Sequence, residues 1–215
     1  MFSIAALVSA TMTARFALAL LLFCSAPIVA QTPPAPAAAG EPVKEELVKV
    51  ALETGAGRIV IALDRGRAPL TTANFLRYVE SGKYDGESIY RAMPYGDGGF
   101  IQGGITSDAA KLGKAVEHEP TTKTGLKHVA GAVSMAHLGP GTAQADFFIL
   151  TTDIPALDAS AGDQGFAVFG HVVEGLDVAK KILASPVSPT KGEGPLKGQM
   201  LEPAVKILKA ERLPD

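Results

Sequence analysis

The chain has 215 residues, 47% of them apolar, with 20 basic against 22 acidic side chains and a net charge of -2. That length suits one compact domain with a full hydrophobic core. The near-neutral balance leaves no electrostatic footprint for nucleic acid or an anionic membrane surface, so neither is expected as a partner.

Residues 16–30 follow Arg15 as an apolar run that ends on Ala30 before Gln-Thr-Pro-Pro. The run is too short for a comfortable membrane span and reads as a secretory signal peptide over residues 1–30, with Met12 as a compact alternative start. Removing it leaves no membrane span. It also removes Cys24, the only cysteine, so the remaining chain can enter an oxidising compartment without disulfide chemistry. The expected location is outside the cytoplasm, in the periplasm.

Residues 31–46 begin as a Pro/Ala-rich tether, with four prolines before Lys44 and no hydrophobic period. The folded domain is expected over 47–212. Val48, Val50 and Leu52 alternate with polar or small residues, Gly55-Ala56-Gly57 turns the chain, and Ile59, Ile61 and Leu63 alternate again. This predicts a hairpin. After Pro69, Thr71 or Thr72 can cap a helix that buries Phe75, Leu76 and Val79 and stops at Gly82. A second helix is predicted from Leu176 to Leu183, before Pro186. The remaining apolar segments, near 88–93, 99–103, 129–135, 146–151, 166–173 and 199–208, are short and separated by Gly-rich loops. Many short strands with few helices favour a mainly β, closed antiparallel barrel, which leaves no exposed sheet edge.

The densest chemical signal lies in Ser134–Leu150, where a strand end, a Gly/Pro loop and a strand with adjacent phenylalanines follow Arg91 and Gln102. A shallow apolar pocket beside one cation and one amide suits a neutral ring. It offers nothing to attack a bond. Phe147 and Phe148 must face opposite sides of their strand, so one at most lines such a pocket. Glu117-His118-Glu119 with His128 matches no common metal spacing and reads as solvated loop charge. No metal is expected. Gly96–Gly104 lacks the Lys-Ser/Thr of a phosphate loop.

Seven short segments together resemble the cyclophilin-type peptidyl-prolyl cis-trans isomerases: Ala73-Asn74-Phe75, Ile89-Tyr90-Arg91, Ile101-Gln102-Gly103-Gly104, Ser134-Met135-Ala136, Gly139-Pro140, Phe147-Phe148-Ile149 and Val168-Phe169-Gly170. They occur in the family's order across residues 47–210. The resemblance implies a closed eight-stranded antiparallel barrel with two capping helices, a monomer acting on proline-containing polypeptides during folding. Arg91 becomes the catalytic residue. Phe100, Gln102, Met135, Ala136, His137, Phe148, Leu157 and Phe166 become substrate-binding residues, with Gly103 and Gly104 admitting the peptide backbone. No cofactor is implied, because rotating an Xaa-Pro bond requires only that the twisted amide be held better than the planar one.

The chain also departs from the family pattern. Asp146 replaces the glutamine common before the paired phenylalanines, His137 an asparagine, Ala156 a tryptophan and Phe166 a histidine. The segment from Arg91 to Gln102 is about three residues longer than usual, and Ala159–Gly165 is an insertion. Asp146 and the longer segment motivate a second reading: a cyclophilin-like chaperone or proline-segment binding module that catalyses weakly.

Overall fold

The computed structural model describes residues 46–214. The signal-peptide assignment, residues 1–30, and the tether, residues 31–46, lie outside the described residues except for Glu46. Eight strands close into one antiparallel barrel in the order β1-β2-β7-β5-β6-β4-β3-β8. They are β1 Leu47–Thr54, β2 Gly57–Asp64, β3 Ser88–Tyr95, β4 Gly98–Gly104, β5 Ala132–Met135, β6 Phe147–Leu150, β7 Ala167–Glu174 and β8 Met200–Arg212. The first pair is the hairpin read from alternation, with Val50 opposite Ile61 and Leu52 opposite Ile59.

Alternate side chains of these strands fill the barrel. Val50, Leu52, Ile59, Ile61, Leu63, Phe147 and Phe169 are fully or almost fully buried in one cluster. Helix α1, Pro69–Glu80, adds Phe75, whose ring meets Phe147 edge-on at 5.3 Å and Phe169 at 5.2 Å. Helix α3, Leu176–Leu183, has the bounds read from the sequence and buries Ala179 and Ile182 in the same cluster. Burial of this apolar area is the main term holding the barrel.

Two expectations need revision. A third, four-residue helix, α2 Thr121–Thr124, joins the two that were anticipated. The start of α1 is also capped differently: neither Thr71 nor Thr72 caps it, because Pro69 occupies its first turn after Ala68. Instead the Glu119 carboxylate accepts from the backbone N–H groups of Leu70 and Thr71 and from the Thr71 hydroxyl. An acceptor on exposed helical N–H groups relieves the donors that the first turn leaves unpaired. Glu119 is therefore 1% exposed and structural, where solvated loop charge was expected.

Candidate active site

Arg91 owes its placement to an irregularity in β3. The strand's pairing with β4 runs from Ile89 opposite Gly103 to Arg91 opposite Gln102, leaving Tyr90 as an extra residue. Such a bulge breaks the strict alternation of faces and re-aims side chains. Tyr90 and Arg91 consequently both reach the Gln102 amide. Arg91 Nη1–H donates to Gln102 Oε1 at 2.8 Å, and Gln102 Nε2–H donates to the Tyr90 hydroxyl at 2.7 Å. Arg91 Nε–H donates to Gln199 Oε1, also at 2.8 Å. Held at both ends, the guanidinium carbon lies 5.1 Å from the Phe100 ring centre.

Bonds to the described residues take two of its five N–H donors, leaving others to offer a ligand. Partial burial lowers the Arg91 pKa, while the Tyr90 side chain opposes that shift. An arginine starts so far above neutrality that it stays charged.

Beneath Arg91 lies a second apolar cluster, separate from the barrel core. Phe100, Phe148, Leu150, Ile154 and Val168 form it, with Ala136, Leu157 and Phe166 packed against its edge. Phe100 and Phe148 meet at 5.0 Å, and Phe166 stands edge-on to Phe148 at 5.4 Å. His137 stacks on Phe166 at 4.6 Å, and its Nε2 bonds the Gly165 carbonyl at 3.0 Å. The inserted loop before Phe166 is thereby tied to the site. The structure thus brings Arg91, Phe100, Gln102, Ala136, His137, Phe148, Leu157 and Phe166 together.

Met135 does not join them. It is 0% exposed and packs in the barrel core, because on β5 it shares a face with Val133 while Ser134 turns toward the second cluster. Strand alternation allows Ser134 or Met135 to face the second cluster, not both. By the same rule Phe147 belongs to the barrel core and Phe148 to the second cluster.

The two glycines after Gln102 admit close approach by neighbouring parts of the chain itself. A Cβ on Gly103 would lie 3.1 Å from the Ser88 carbonyl oxygen, and one on Gly104 would lie 1.8 Å from Asp146 Oδ1. Asp146 therefore occupies the space that Gly104 leaves open. Tyr90 O–H donates to its Oδ2 at 2.9 Å. Burial raises the Asp146 pKa, opposed by the bonds from Tyr90 and the Ile105 N–H. Alongside, Gln102, Ala136, His137, Leu138, Gln144 and Asp146 border a cleft of about 230 Å³. The longer segment after Arg91 does not form a loop over this site: Met93 pairs with Phe100, Pro94 with Gly99 and Tyr95 with Gly98, so a longer hairpin absorbs it.

Behind Phe148 sits a histidine that sequence reasoning treated as loop charge. His128 is 1% exposed, parallel to the Phe148 ring at 6.0 Å, with Nδ1 2.7 Å from Asp158 Oδ1 and Nε2 3.0 Å from the Ser134 hydroxyl. The neutral tautomer fits, donating from Nδ1 to Asp158 and accepting at Nε2 from Ser134. Among the described residues no cluster of three metal-ligating side chains occurs.

Burial lowers the His128 pKa, with Asp158 opposing. Burial alone would raise Asp158, but its bonds from the His128 ring and backbone N–H hold it below its ordinary value. Both shifts have one sign. A depressed histidine binds fewer protons folded than unfolded, so stability falls as pH drops through about 6.5. Asp158 adds a further loss as pH falls below about 4. Urea unfolding at pH 7 and pH 5 is expected to give a lower midpoint at pH 5, with a smaller drop in His128→Gln. An equally steep drop in that variant would acquit the histidine.

The comparisons with known proteins agree with this geometry. The family model for cyclophilin type peptidyl-prolyl cis-trans isomerase matches residues 49–212, and the chain belongs to that family. Among its relatives, "Peptidyl-prolyl cis-trans isomerase A" of Dickeya dadantii is 38% identical over 166 residues, covering 74% of this chain and 84% of that protein. A Streptomyces antibioticus protein, "Peptidyl-prolyl cis-trans isomerase cyp18", is 36% identical over 165 residues, covering 74% of this chain and 98% of its own. A crystal structure of a cyclophilin type peptidyl-prolyl cis-trans isomerase from Cryptosporidium parvum superimposes with a TM-score of 0.64 at 22% identity, covering 79% of this chain and 99% of that one. A second crystal structure of that protein, in the presence of the dipeptide Ala-Pro, gives 0.63. These two likenesses speak to the fold.

Proposed function

We infer that this chain is a peptidyl-prolyl cis-trans isomerase that seats a proline ring on the Phe100–Phe148–Phe166 surface and acts on the preceding amide through Arg91. The observation that carries this reading is a guanidinium fixed by two amides over the Phe100 ring of an apolar cluster, with further donors beyond those two bonds.

Rotation about an Xaa-Pro bond breaks amide conjugation and faces a barrier of about 18–20 kcal/mol. At the top of that barrier the prolyl nitrogen is pyramidal and carries a lone pair that the planar amide lacks. A donor aimed at that lone pair stabilises the twisted state selectively, which is the condition for catalysis. The apolar surface of Phe100, Phe148 and Phe166 holds the pyrrolidine ring, so that rotation occurs in the chain preceding it. The cleft bordered by Gln102 and Asp146 is where that preceding segment runs. No bond is broken to another group and no proton is consumed.

Exchange NMR on an Ala-Pro peptide tests the activity. A small molar fraction of the protein is expected to produce cis-trans exchange peaks absent from the peptide alone. Peptide binding without exchange would instead favour the binding module.

Among the described residues no helix is long and apolar enough to cross a membrane. We propose that the chain is exported to the periplasm as a monomer that helps proteins fold, on the strength of Arg15, the apolar run after it and Ala30. Mass spectrometry of the product from a bacterial host is expected to find a chain beginning after Ala30. An intact N-terminus would contradict export by this route.

A further inference from the structure

A glutamine side chain can present either its oxygen or its amide nitrogen, and nothing in Gln102 itself decides which end faces Arg91. The donor-only Arg91 guanidinium asks for the oxygen at one end, and Asp146, acting through Tyr90, enforces the same sense at the other. Asp146 carries an acceptor-only group, placed over Gly104 and accepting from the Ile105 N–H. Its Oδ2 accepts a hydrogen bond from the Tyr90 hydroxyl at 2.9 Å. With its one O–H committed to Asp146, the Tyr90 oxygen can only accept from Gln102, and does so from Nε2 at 2.7 Å. The Gln102 oxygen is then left for Arg91 Nη1–H, at 2.8 Å. Every bond in the chain has one direction, imposed by a donor-only guanidinium at one end and an acceptor-only carboxylate at the other.

We propose that Asp146 is a positioning residue: acting through Tyr90, it fixes the polarity of the Gln102 amide and so holds Arg91 ready for the prolyl nitrogen. The proposal rests on the isomerase reading of the site. It makes Tyr90 the second positioning residue, brought within reach by the bulge in β3.

Asparagine at this position is isosteric but not equivalent. If its oxygen stays on the Ile105 N–H, its amide nitrogen donates to Tyr90, which then turns its own proton toward Gln102. The amide flips and sets donors against the guanidinium. If its oxygen stays on Tyr90, two donors collide at Ile105. In either case the ordered chain of bonds is lost while the shape is kept.

The test is a double-mutant cycle read two ways, by kcat and KM for an Ala-Pro peptide and by the 15N–1H signals of the Gln102 side-chain amide. Asp146→Asn is expected to lower kcat about tenfold, the worth of one hydrogen bond to a charged group, with KM little changed. It is also expected to shift the Gln102 amide signals. In a Tyr90→Phe background, the same substitution is expected to do neither, because the link is already cut. Effects that add, or Asp146→Asn behaving as the parent, would overturn the relay. If the parent protein accelerates nothing, the isomerase reading falls, and the amide signals alone still decide whether Asp146 orients Gln102.

Discussion

Arg91→Ala is expected to lower kcat for an Ala-Pro peptide by about 10²-fold, the loss typical when one preorganised donor to a developing charge or lone pair is removed. The argument rests on where the side chain's own bonds go. Two of its N–H groups are spent on Gln102 and Gln199, which restrain the guanidinium above Phe100 and leave further donors for the substrate. Because those donors meet a lone pair that exists only while the amide is twisted, the loss should fall on kcat rather than KM.

Arg91→Lys is expected to recover little of it. An ammonium keeps the charge but lacks the planar fork that can bond two amides and still face a third group. The side chain is half-buried at the surface of the barrel and contributes nothing to the main core, so both variants should fold. Kinetics by exchange NMR, with the unfolding midpoint as a control, checks both points. A rate unchanged in Arg91→Ala would move catalysis elsewhere in the site.

The second large effect is on stability. Phe148→Ala is expected to cost about 3–5 kcal/mol, as burial of an aromatic ring is lost and a cavity is left behind. Phe148 is 3% exposed and touches Phe100, Phe166 and the His128 ring, so no single neighbour can close the gap. The site should fail with it, because Phe100 then lacks support beneath Arg91. Phe148→Leu restores part of the volume and should recover part of the stability without the flat ring surface. Its signature is a raised KM for the proline peptide with a smaller effect on urea midpoint. Loss of less than about 1 kcal/mol in Phe148→Ala would mean that the second cluster is not packed as described.

Much of this architecture was legible because it depends on short-range pattern. Alternation marked β1 and β2, and Pro69, Gly82 and Pro186 bracketed α1 and α3. The ordered motifs then placed Arg91, Gln102 and Phe148 around one site. What escaped depends on partners far away in the chain. Glu119 caps a helix nearly fifty positions earlier, and Gln199 meets Arg91 from 108 positions later. No local spacing announces either. Met135 was assigned to the recess because it sits inside a matching motif, yet the pleat of β5 gives that face to Ser134. The bulge at Tyr90 was equally hidden: an alternating reading of β3 sends Tyr90 and Arg91 to opposite faces, and only the inserted residue brings both to Gln102. Asp146 was noticed as a departure, and its role became visible only with Gly104 beneath it.

The most direct measurement of the central claim is a crystal structure of this chain with an Ala-Pro-containing peptide bound. The proline ring is expected against Phe100 and Phe148, with an Arg91 N–H group directed at the prolyl nitrogen and Gln102 still facing Arg91 with its oxygen. A proline ring seated elsewhere, or a guanidinium swung away from that nitrogen toward solvent, would contradict it.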